Sequence, residues 1–475
     1  MTTGATDRST ERAPAALPGQ PWNQRRDGGA GARSHGPGAA DLPRWPLLAM
    51  LAGAPAWWVL GLSPFIPAIV AFVMLVLLLR VPRVRLVPGV LALVLFALWC
   101  PASLVMLDSP LRAIGFGVRW SGIVAAMLVL IYLTNSDPRR LRDIHVLSAL
   151  AVLWAFVVIG GYLGLFWPEG RLTTPMAQIL PSAVLNNEFV RDLVMPKFAE
   201  VQRPWGAAEP FNRPAAPFPY TNGWGCAVAL LTPVVLSLRE RVAAPWRRHL
   251  LTAGLLASAV PAAATANRGM LLVLGVSIAW YIAVQLRRGQ QRAAGRALGL
   301  SLAATAVAAA GGVFSLIAER QAVSDTTTGR ASVYLATLEQ VQRSPILGFG
   351  APRPSQEIGI ALGTQGAIWM YLFSYGVIGA LLFLAFLVGV LVLTRGTPGL
   401  PDQDAWLRAV LAGALVACWF YGFDGTHLSI IVIVAGLLLR SRAQATPATQ
   451  ATQATQAALP LQRVHAGRAG GYRWS

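Results

Sequence analysis

The sequence is poor in charged residues and cysteine, and it contains a single lysine, Lys197. Charged residues make up 12% of the 475 residues and hydrophobic residues 55%, with a mean hydropathy of +0.54. These values exclude an ordinary soluble domain and indicate a polytopic membrane protein. The three cysteines, Cys100, Cys226 and Cys418, fall within apolar stretches and are too scattered to form a metal site, so they are predicted to be small buried hydrophobes.

Twelve apolar stretches follow one another along the chain. A membrane-spanning helix needs about 20 mainly apolar residues with few charges. We therefore predict an all-α fold, a polytopic transmembrane helical bundle of about twelve spans, with two long outer loops that contain short interfacial helices. The predicted spans cover residues 46–62, 63–79, 86–106, 112–133, 145–166, 222–238, 249–265, 269–286, 298–318, 366–394, 404–421 and 427–440.

Basic residues are concentrated in every second connection between these stretches. This positive-inside distribution predicts that both termini are cytoplasmic and that the two long loops, residues 167–221 and 319–365, lie outside a bacterial plasma membrane. The formal net charge of +19 is then explained by topology and by contact with anionic membrane lipids, and nucleic acid is not an expected partner.

Two terminal segments lack apolar periodicity. Residues 1–43 are rich in Gly, Pro, Ala and Arg and are predicted to be a disordered cytoplasmic arm. Residues 442–475 contain a repeated Ala-Thr-Gln unit and are predicted to be a low-complexity cytoplasmic tail. Residues 44–441 form the predicted transmembrane catalytic domain.

Three arginines, Arg213, Arg268 and Arg330, are predicted to lie on the outer face. Each one alone is most simply explained as a side chain that snorkels to the headgroup level. Together they suggest an anion site, because the guanidinium group binds phosphate with two parallel hydrogen bonds. Arg119 is expected inside the fourth span, where an arginine is costly and normally faces a cavity or a partner.

The outer face offers few groups that can accept a proton. Asp424 and His427 share the last outer turn, and Glu357 lies in the second long loop. Helix capping is the simpler interpretation of Asp424 or His427 alone, but a carboxylate near the arginines would stay ionised, so we favour Asp424 as a base. Four of the five histidines are predicted to be cytoplasmic, which argues against a histidine metal site outside. The acidic pair Asp402 and Asp404 is predicted to be cytoplasmic and is interpreted as loop solvation and helix capping.

Four short stretches carry a resemblance to a known family. They are Arg213 with residues 219–223, Asn267-Arg268-Gly269, Gly329-Arg330 through residues 345–350, and residues 363–366 leading to residues 375–379. In order and sidedness, over roughly residues 45–440, they resemble the O-antigen ligase and polymerase superfamily of polytopic membrane glycosyltransferases. Between Arg330 and Arg343, apolar residues also recur at helical spacing, which predicts a short amphipathic helix at the outer interface.

The resemblance implies a metal-independent transferase without a cofactor. It would move a glycan from a polyprenyl-diphosphate carrier to a glycan or lipid acceptor at the outer face. Together with the residues argued above, the candidate site residues are Arg119, Arg213, Arg268 and Arg330 for the diphosphate, Arg330, Gln365 and Asp424 for catalysis, and Tyr220, Asn222, Glu357 and His427 for support. The chain departs from the family pattern at Gln365, where ligases often have a histidine, because glutamine cannot accept a proton.

Two other functions remain open from the sequence. A twelve-span transporter or flippase for a lipid-linked glycan fits the number of spans, although the two halves show no clear similarity to each other. A cell-wall glycan polymerase of the shape, elongation and division type would also use a lipid diphosphate donor, and Glu357 or Asp325 could then be its acid. Ligase and polymerase activity are not distinguished by the resemblance.

Overall fold

The computed structural model describes residues 41–186, 188–202, 210–323, 326–355, 359, 361–395, 404–423 and 425–443. These residues are mostly helical, and they include eight helices that are long and apolar enough to cross a membrane, which is consistent with a multi-pass membrane protein. The longer helices are α3 Ile66–Leu78, α4 Pro88–Trp99, α5 Pro110–Asn135, α6 Asp143–Phe166, α10 Thr221–Arg241, α11 Pro245–Ala264, α12 Arg268–Arg287, α13 Gln291–Ala310, α14 Val313–Val323, α15 Thr326–Val341, α16 Ala367–Leu393, α17 Asp404–Ala417 and α18 Gly425–Ala443. Shorter helices are α1 Trp45–Ala52, α2 Ala54–Leu60, α7 Pro175–Ile179, α8 Ser182–Leu185 and α9 Glu188–Val194.

Four of the twelve predicted spans do not combine the length and hydropathy of a membrane-spanning helix. The first forms the two short helices α1 and α2, and α3 has 13 residues. The first turn of helix α11, which begins at Pro245, contains the basic residues Arg247 and Arg248, and α17 has 14 residues. A count of twelve spans therefore stays a prediction.

The ninth predicted span has the wrong bounds. Its helix, α13, begins at Gln291 rather than at residue 298, because Arg292 and Arg296 belong to its first turns. It ends at Ala310, since Gly312 has a φ of 74° and separates it from α14. Only 6% of the apolar window of α13 is buried within the chain, so this helix lies at the edge of the bundle.

Helices α10 and α18 lie at the centre, with 78% of each apolar window buried. Helix α10 packs on α6, α12 and α17. The Trp224 side chain is fully buried, and its Nε1 donates to the Val157 carbonyl of α6 at 2.8 Å. Gly161 of α6 makes room for this ring, because a Cβ there would lie 2.8 Å from it.

Two short antiparallel hairpins were not predicted. In the first long loop, β1 Ala199–Gln202 pairs with β2 Phe211–Pro214, so that Glu200 lies opposite Arg213. In the second, β3 Arg353–Pro354 pairs with β4 Ala361–Leu362. The predicted amphipathic helix of the second loop corresponds to α15, in which Val333 is buried and Leu335 is exposed.

Helix α16 is broken at Gly376, which has a φ of 70° and a ψ of −175°. The preceding loop fills the break. The Phe349 and Gly350 N–H groups donate to the carbonyls of Phe373 and Ser374, each at 2.8 Å, and the Val377 N–H donates to the Pro345 carbonyl at 2.8 Å.

Both glycines at this crossing are required by geometry. A Cβ on Gly376 would overlap the Ile346 carbonyl, and a Cβ on Gly348, whose φ is 67°, would lie 2.6 Å from the Gly376 nitrogen. The Tyr375 carbonyl, also released by the break, accepts from Trp99 Nε1 at 2.9 Å. Irregular backbone in a span is tolerated where its polar groups are satisfied inside the protein. The glycine-marked block of residues 345–350 therefore has a structural role in closing this break.

Buried ion pairs link helices at the end of the bundle that contains the α10 and α18 C-termini. Arg241 of α10 pairs with Asp404 of α17, and Arg440 of α18 pairs with Asp143 of α6. Asp404 is 1% exposed. The interpretation of Asp404 as a solvated loop residue is therefore wrong, because its carboxylate neutralises a partly buried guanidinium on another helix; Asp402 lies outside the described residues.

The predicted orientation is testable by cysteine labelling. All three native cysteines are buried, so they should react slowly with an impermeant maleimide. We expect Ala207→Cys to be labelled in intact cells and Ala243→Cys only after permeabilisation, because residue 243 lies in a basic connection. Labelling of the second variant alone in intact cells would reverse the topology.

Candidate functional site

The β1–β2 hairpin holds an arginine and a carboxylate side by side. Arg213 is 4% exposed, and its Nε donates to the Thr265 carbonyl at 2.9 Å. Its Nη1 lies 3.8 Å from Glu200 Oε2. The next residue after Thr265, Ala266, has a φ of 45°, an unfavourable conformation for alanine, at the turn that presents this carbonyl.

Arg320 of α14 joins the pair through Gln202. Its Nη2 donates to Gln202 Oε1 at 3.0 Å, and Gln202 Nε2 in turn donates to Glu200 Oε1 at 2.7 Å. Residues 200 and 202 lie on the same face of β1 because side chains alternate along a strand. The Arg320 Nε is buried and has no hydrogen-bond partner among the described residues.

A cavity of about 300 Å³ opens between these two arginines. Arg213 and Asn212 line it from the hairpin, Ala266 from the α11–α12 turn, and Leu316 and Arg320 from α14. The cavity therefore combines two guanidinium groups with an apolar wall, next to the ends of spanning helices.

The Asn267-Arg268-Gly269 motif starts α12 and brings a third arginine to this end. The Asn267 Oδ1 caps the helix by accepting from the Met270 N–H at 3.2 Å, and it also accepts from the Tyr421 hydroxyl at 2.6 Å. A Cβ on Gly269 would lie 2.5 Å from that hydroxyl, so glycine makes room for Tyr421. Arg268 Nη1 donates to Gln321 Oε1 of α14 at 2.8 Å.

Arg330 of α15 completes a set that we call the Arg213 group: Arg213, Arg268, Arg320 and Arg330. The charge of Arg330 acts on Arg213 and on Arg320, and the charge of Arg268 acts on Arg320. Among the described residues, the carboxylate whose charge acts on both Arg213 and Arg320 is Glu200. Of the three arginines expected at an anion site, Arg213 thus lines the cavity, and Arg268 and Arg330 lie near enough for their charges to act on Arg320.

Burial and mutual repulsion shift the acidity of this group. Burial, followed by the charge of Arg320, lowers the pKa of Arg213 to about 10, against the attraction of Glu200. Burial also lowers the pKa of Arg320. Both guanidinium groups stay charged at neutral pH, so positive charge is only partly offset and an anion would bind favourably.

Arg119 lies elsewhere. It is on α5, and its guanidinium lies beside Gly115. A Cβ built on this glycine would be 3.8 Å from the Arg119 Nη1. Its Nη1 is buried without a hydrogen-bond partner among the described residues, and it lies near Tyr375 beside the break in α16. Arg119 is not among the charges that act on Arg213 or Arg320.

Gln365 lies just before α16, half buried. Its backbone carbonyl accepts from the Tyr334 hydroxyl at 3.4 Å, and the Tyr334 ring stacks on Trp369 with a centroid distance of 4.3 Å. Since Tyr334 follows Arg330 by one helical turn, Gln365 and Arg330 are connected through α15. At the start of α10, Tyr220 is 45% exposed and Asn222 is half buried.

His427 is packed rather than presented to solvent. It is 1% exposed, its Nε2 lies 2.8 Å from the Gly223 carbonyl, and its ring stacks on Phe218 at 4.9 Å. These contacts suit a structural residue between α18 and α10 better than a base. Asp424 and Glu357 lie outside the described residues.

Sequence reasoning missed Arg320 and Glu200. Arg320 lies at the start of the predicted outer loop 319–365 but outside the four short stretches that carry the resemblance, so it was not counted with the other outer arginines. Glu200 meets Arg213 only because of the strand register, although the Thr221 N–H, at the start of α10, also donates to its Oε2 at 3.3 Å. Within the described residues, no group of three or more His, Cys, Asp or Glu side chains has an arrangement that could hold a metal ion.

No protein-family model matches the chain, and no similar sequence is found among curated proteins.

Proposed function

We propose that the chain is a membrane glycosyltransferase that moves a glycan from a polyprenyl-diphosphate carrier to an acceptor at the outer face, as an O-antigen ligase or a polysaccharide polymerase does. The observation that carries the proposal is the cavity lined by Arg213 and Arg320, two guanidinium groups that share Glu200 as the carboxylate acting on both, while the charge of Arg330 also acts on both. A lipid diphosphate presents two adjacent phosphates at this depth, next to helix ends. Arginine binds such oxygens with paired hydrogen bonds.

The reaction needs charge stabilisation on the leaving group. The acceptor hydroxyl attacks the anomeric carbon, the bond from that carbon to the diphosphate oxygen breaks, and the electron pair leaves with the lipid diphosphate. The proton of the hydroxyl passes to a base. The Arg213 group supplies fixed positive charge where negative charge develops, which supports a metal-independent mechanism.

The base stays a proposal from the sequence. Asp424 precedes α18 directly and is the first candidate. Glu200 is held by Arg213 and by the Thr221 N–H, so we assign it the role of offsetting positive charge until the donor diphosphate displaces it. Gln365 would orient the acceptor through a hydrogen bond.

Glu200→Gln separates these two roles. The amide keeps an acceptor for the Thr221 N–H but removes the negative charge, so the empty site becomes more positive. We expect the variant to bind inorganic diphosphate about fivefold more tightly, the effect of roughly 1 kcal/mol from one partly exposed charge. Titration calorimetry on the purified protein measures this affinity.

Turnover with a lipid-linked donor completes that experiment. Asp424→Asn should lose turnover by about 10²-fold or more, as expected for a general base, while Glu200→Gln should keep it. Weaker diphosphate binding by Glu200→Gln, or turnover lost there and retained in Asp424→Asn, would reverse the assignment.

A further inference from the structure

A second set of arginines lies at the opposite end of the bundle. Helix α12 runs for 20 residues from Arg268 to Arg287, which is about 30 Å, so its last turn is far from the Arg213 group. Arg287 is the last residue of α12 and Arg288 follows it. Arg395 follows α16, and Arg408 lies in α17. We call these four residues the Arg408 group.

Arg408 is the buried member of this group. Its side chain is 6% exposed, and its Nε is inaccessible and has no hydrogen-bond partner among the described residues. Helix α17 packs against both α12 and α16, which places Arg408 between the ends that carry the other three arginines. The charges that act on it are those of Arg288, Arg395 and Arg287, all of the same sign.

This arrangement differs from the other buried arginines at the same end. Arg241 and Arg440 each pair with a carboxylate, Asp404 and Asp143 respectively. Burying a guanidinium without an opposite charge is costly, and repulsion from three neighbours adds to the cost. Arg408 therefore has no ion-pair partner among the described carboxylates, while Arg287, Arg288 and Arg395 add positive charge around it.

We infer that the Arg408 group binds a phosphate group, with Arg408 as the floor and Arg287, Arg288 and Arg395 as the rim. Arg287 and Arg395 are exposed and Arg288 is half exposed, so the site is accessible from the end of the bundle. It lies where spanning helices end, at the level of lipid headgroups, and clustered arginines between helices bind anionic headgroups there. The phosphate would come from an anionic phospholipid or from free phosphate in solution.

The test uses the purified full-length protein in a neutral detergent, with thermal unfolding followed by tryptophan fluorescence. Phosphatidylglycerol should raise the unfolding midpoint by about 2 °C or more, because a ligand that binds only the folded state stabilises it. Phosphatidylcholine, which has no net charge, should raise it far less. In Arg408→Gln the phosphatidylglycerol shift should disappear, and without lipid this variant should unfold no earlier than the wild type, because an unpaired buried charge has been removed.

Arg80→Gln is the matched control, since Arg80 is an exposed arginine after α3 and outside the group; it should keep the full shift. If Arg408→Gln does not fold, the exposed pair Arg287→Gln and Arg288→Gln should reduce the shift instead. A shift by inorganic phosphate equal to that by phosphatidylglycerol, and lost in the same variants, supports the site with free phosphate as its ligand. Equal shifts in wild type and both sets of variants, or equal shifts by both lipids, would overturn the inference.

Discussion

Replacing Arg320 or Arg330 with lysine should lower glycan transfer by on the order of 10²-fold while the protein still folds. Lysine keeps the positive charge but loses the planar fork that binds two phosphate oxygens at once. Arg320 is the stronger test, because it lines the cavity and was not expected from the sequence. Turnover is measured with a lipid-linked donor at matched expression.

Arg343→Lys is the control for these variants. Arg343 is an exposed arginine in the same loop region and lies outside the Arg213 group, so the variant should retain wild-type turnover. Arg213→Lys and Arg268→Lys should also lose activity, with Arg213→Lys less stable because its Nε bond to Thr265 is lost. Normal transfer by all four lysine variants of the Arg213 group would show that no arginine clamp exists.

Gly376→Ala should prevent the protein from folding. A Cβ at this residue would overlap the Ile346 carbonyl, and its φ of 70° disfavours any side chain. Relief of the overlap would separate the loop from α16 and leave the Phe373 and Ser374 carbonyls without donors inside a span. Strain and unpaired backbone together should cost about 4 kcal/mol or more.

Gly389→Ala provides the matched comparison within the same helix. A Cβ there meets no atom within 4 Å, and the backbone is helical, so stability should be unchanged or slightly higher. The yield of monodisperse protein and the thermal midpoint in detergent measure both variants. Equal yield and midpoint for Gly376→Ala and Gly389→Ala would contradict the broken-helix geometry.

Long helices with continuously apolar sequences could be predicted from the sequence. The spans at residues 112–133, 145–166 and 366–394 match α5, α6 and α16 within a few residues, because hydropathy alone defines them. The cap at Asn267 could also be anticipated, since asparagine before a helix accepts from a nearby N–H. These features depend on residues close together in the chain.

The site could be predicted only in part, because its contacts join distant residues. Arg320 reaches Gln202 across 118 positions, and Glu200 faces Arg213 through strand register. The break at Gly376 depends on backbone hydrogen bonds to residues 345–350. The glycines indicate irregular backbone in both segments, but they do not indicate that the two segments contact each other. The packing of His427 on Phe218 could not be predicted either, because it joins residues far apart in the chain.

The two sets of arginines have different expected ligands. Two members of the Arg213 group, Arg213 and Arg320, line a cavity, and Arg213 lies beside Glu200, the carboxylate that we propose an incoming diphosphate displaces. The Arg408 group surrounds a buried guanidinium at the other end of the same helices. Arg320→Lys should therefore lower transfer by on the order of 10²-fold without changing the phosphatidylglycerol shift. Arg408→Gln should remove the shift without changing transfer.

The most direct test of the account measures the fate of a polyprenyl-diphosphate-linked glycan with purified protein in liposomes containing EDTA. A second donor molecule and a glycolipid serve in turn as acceptors, and released lipid diphosphate and transferred glycan are quantified together. The account predicts equal amounts of both products with at least one acceptor, and both reduced on the order of 10²-fold with Arg320→Lys. Movement of intact donor across the bilayer, with no lipid diphosphate released with either acceptor, would contradict it and identify a flippase instead.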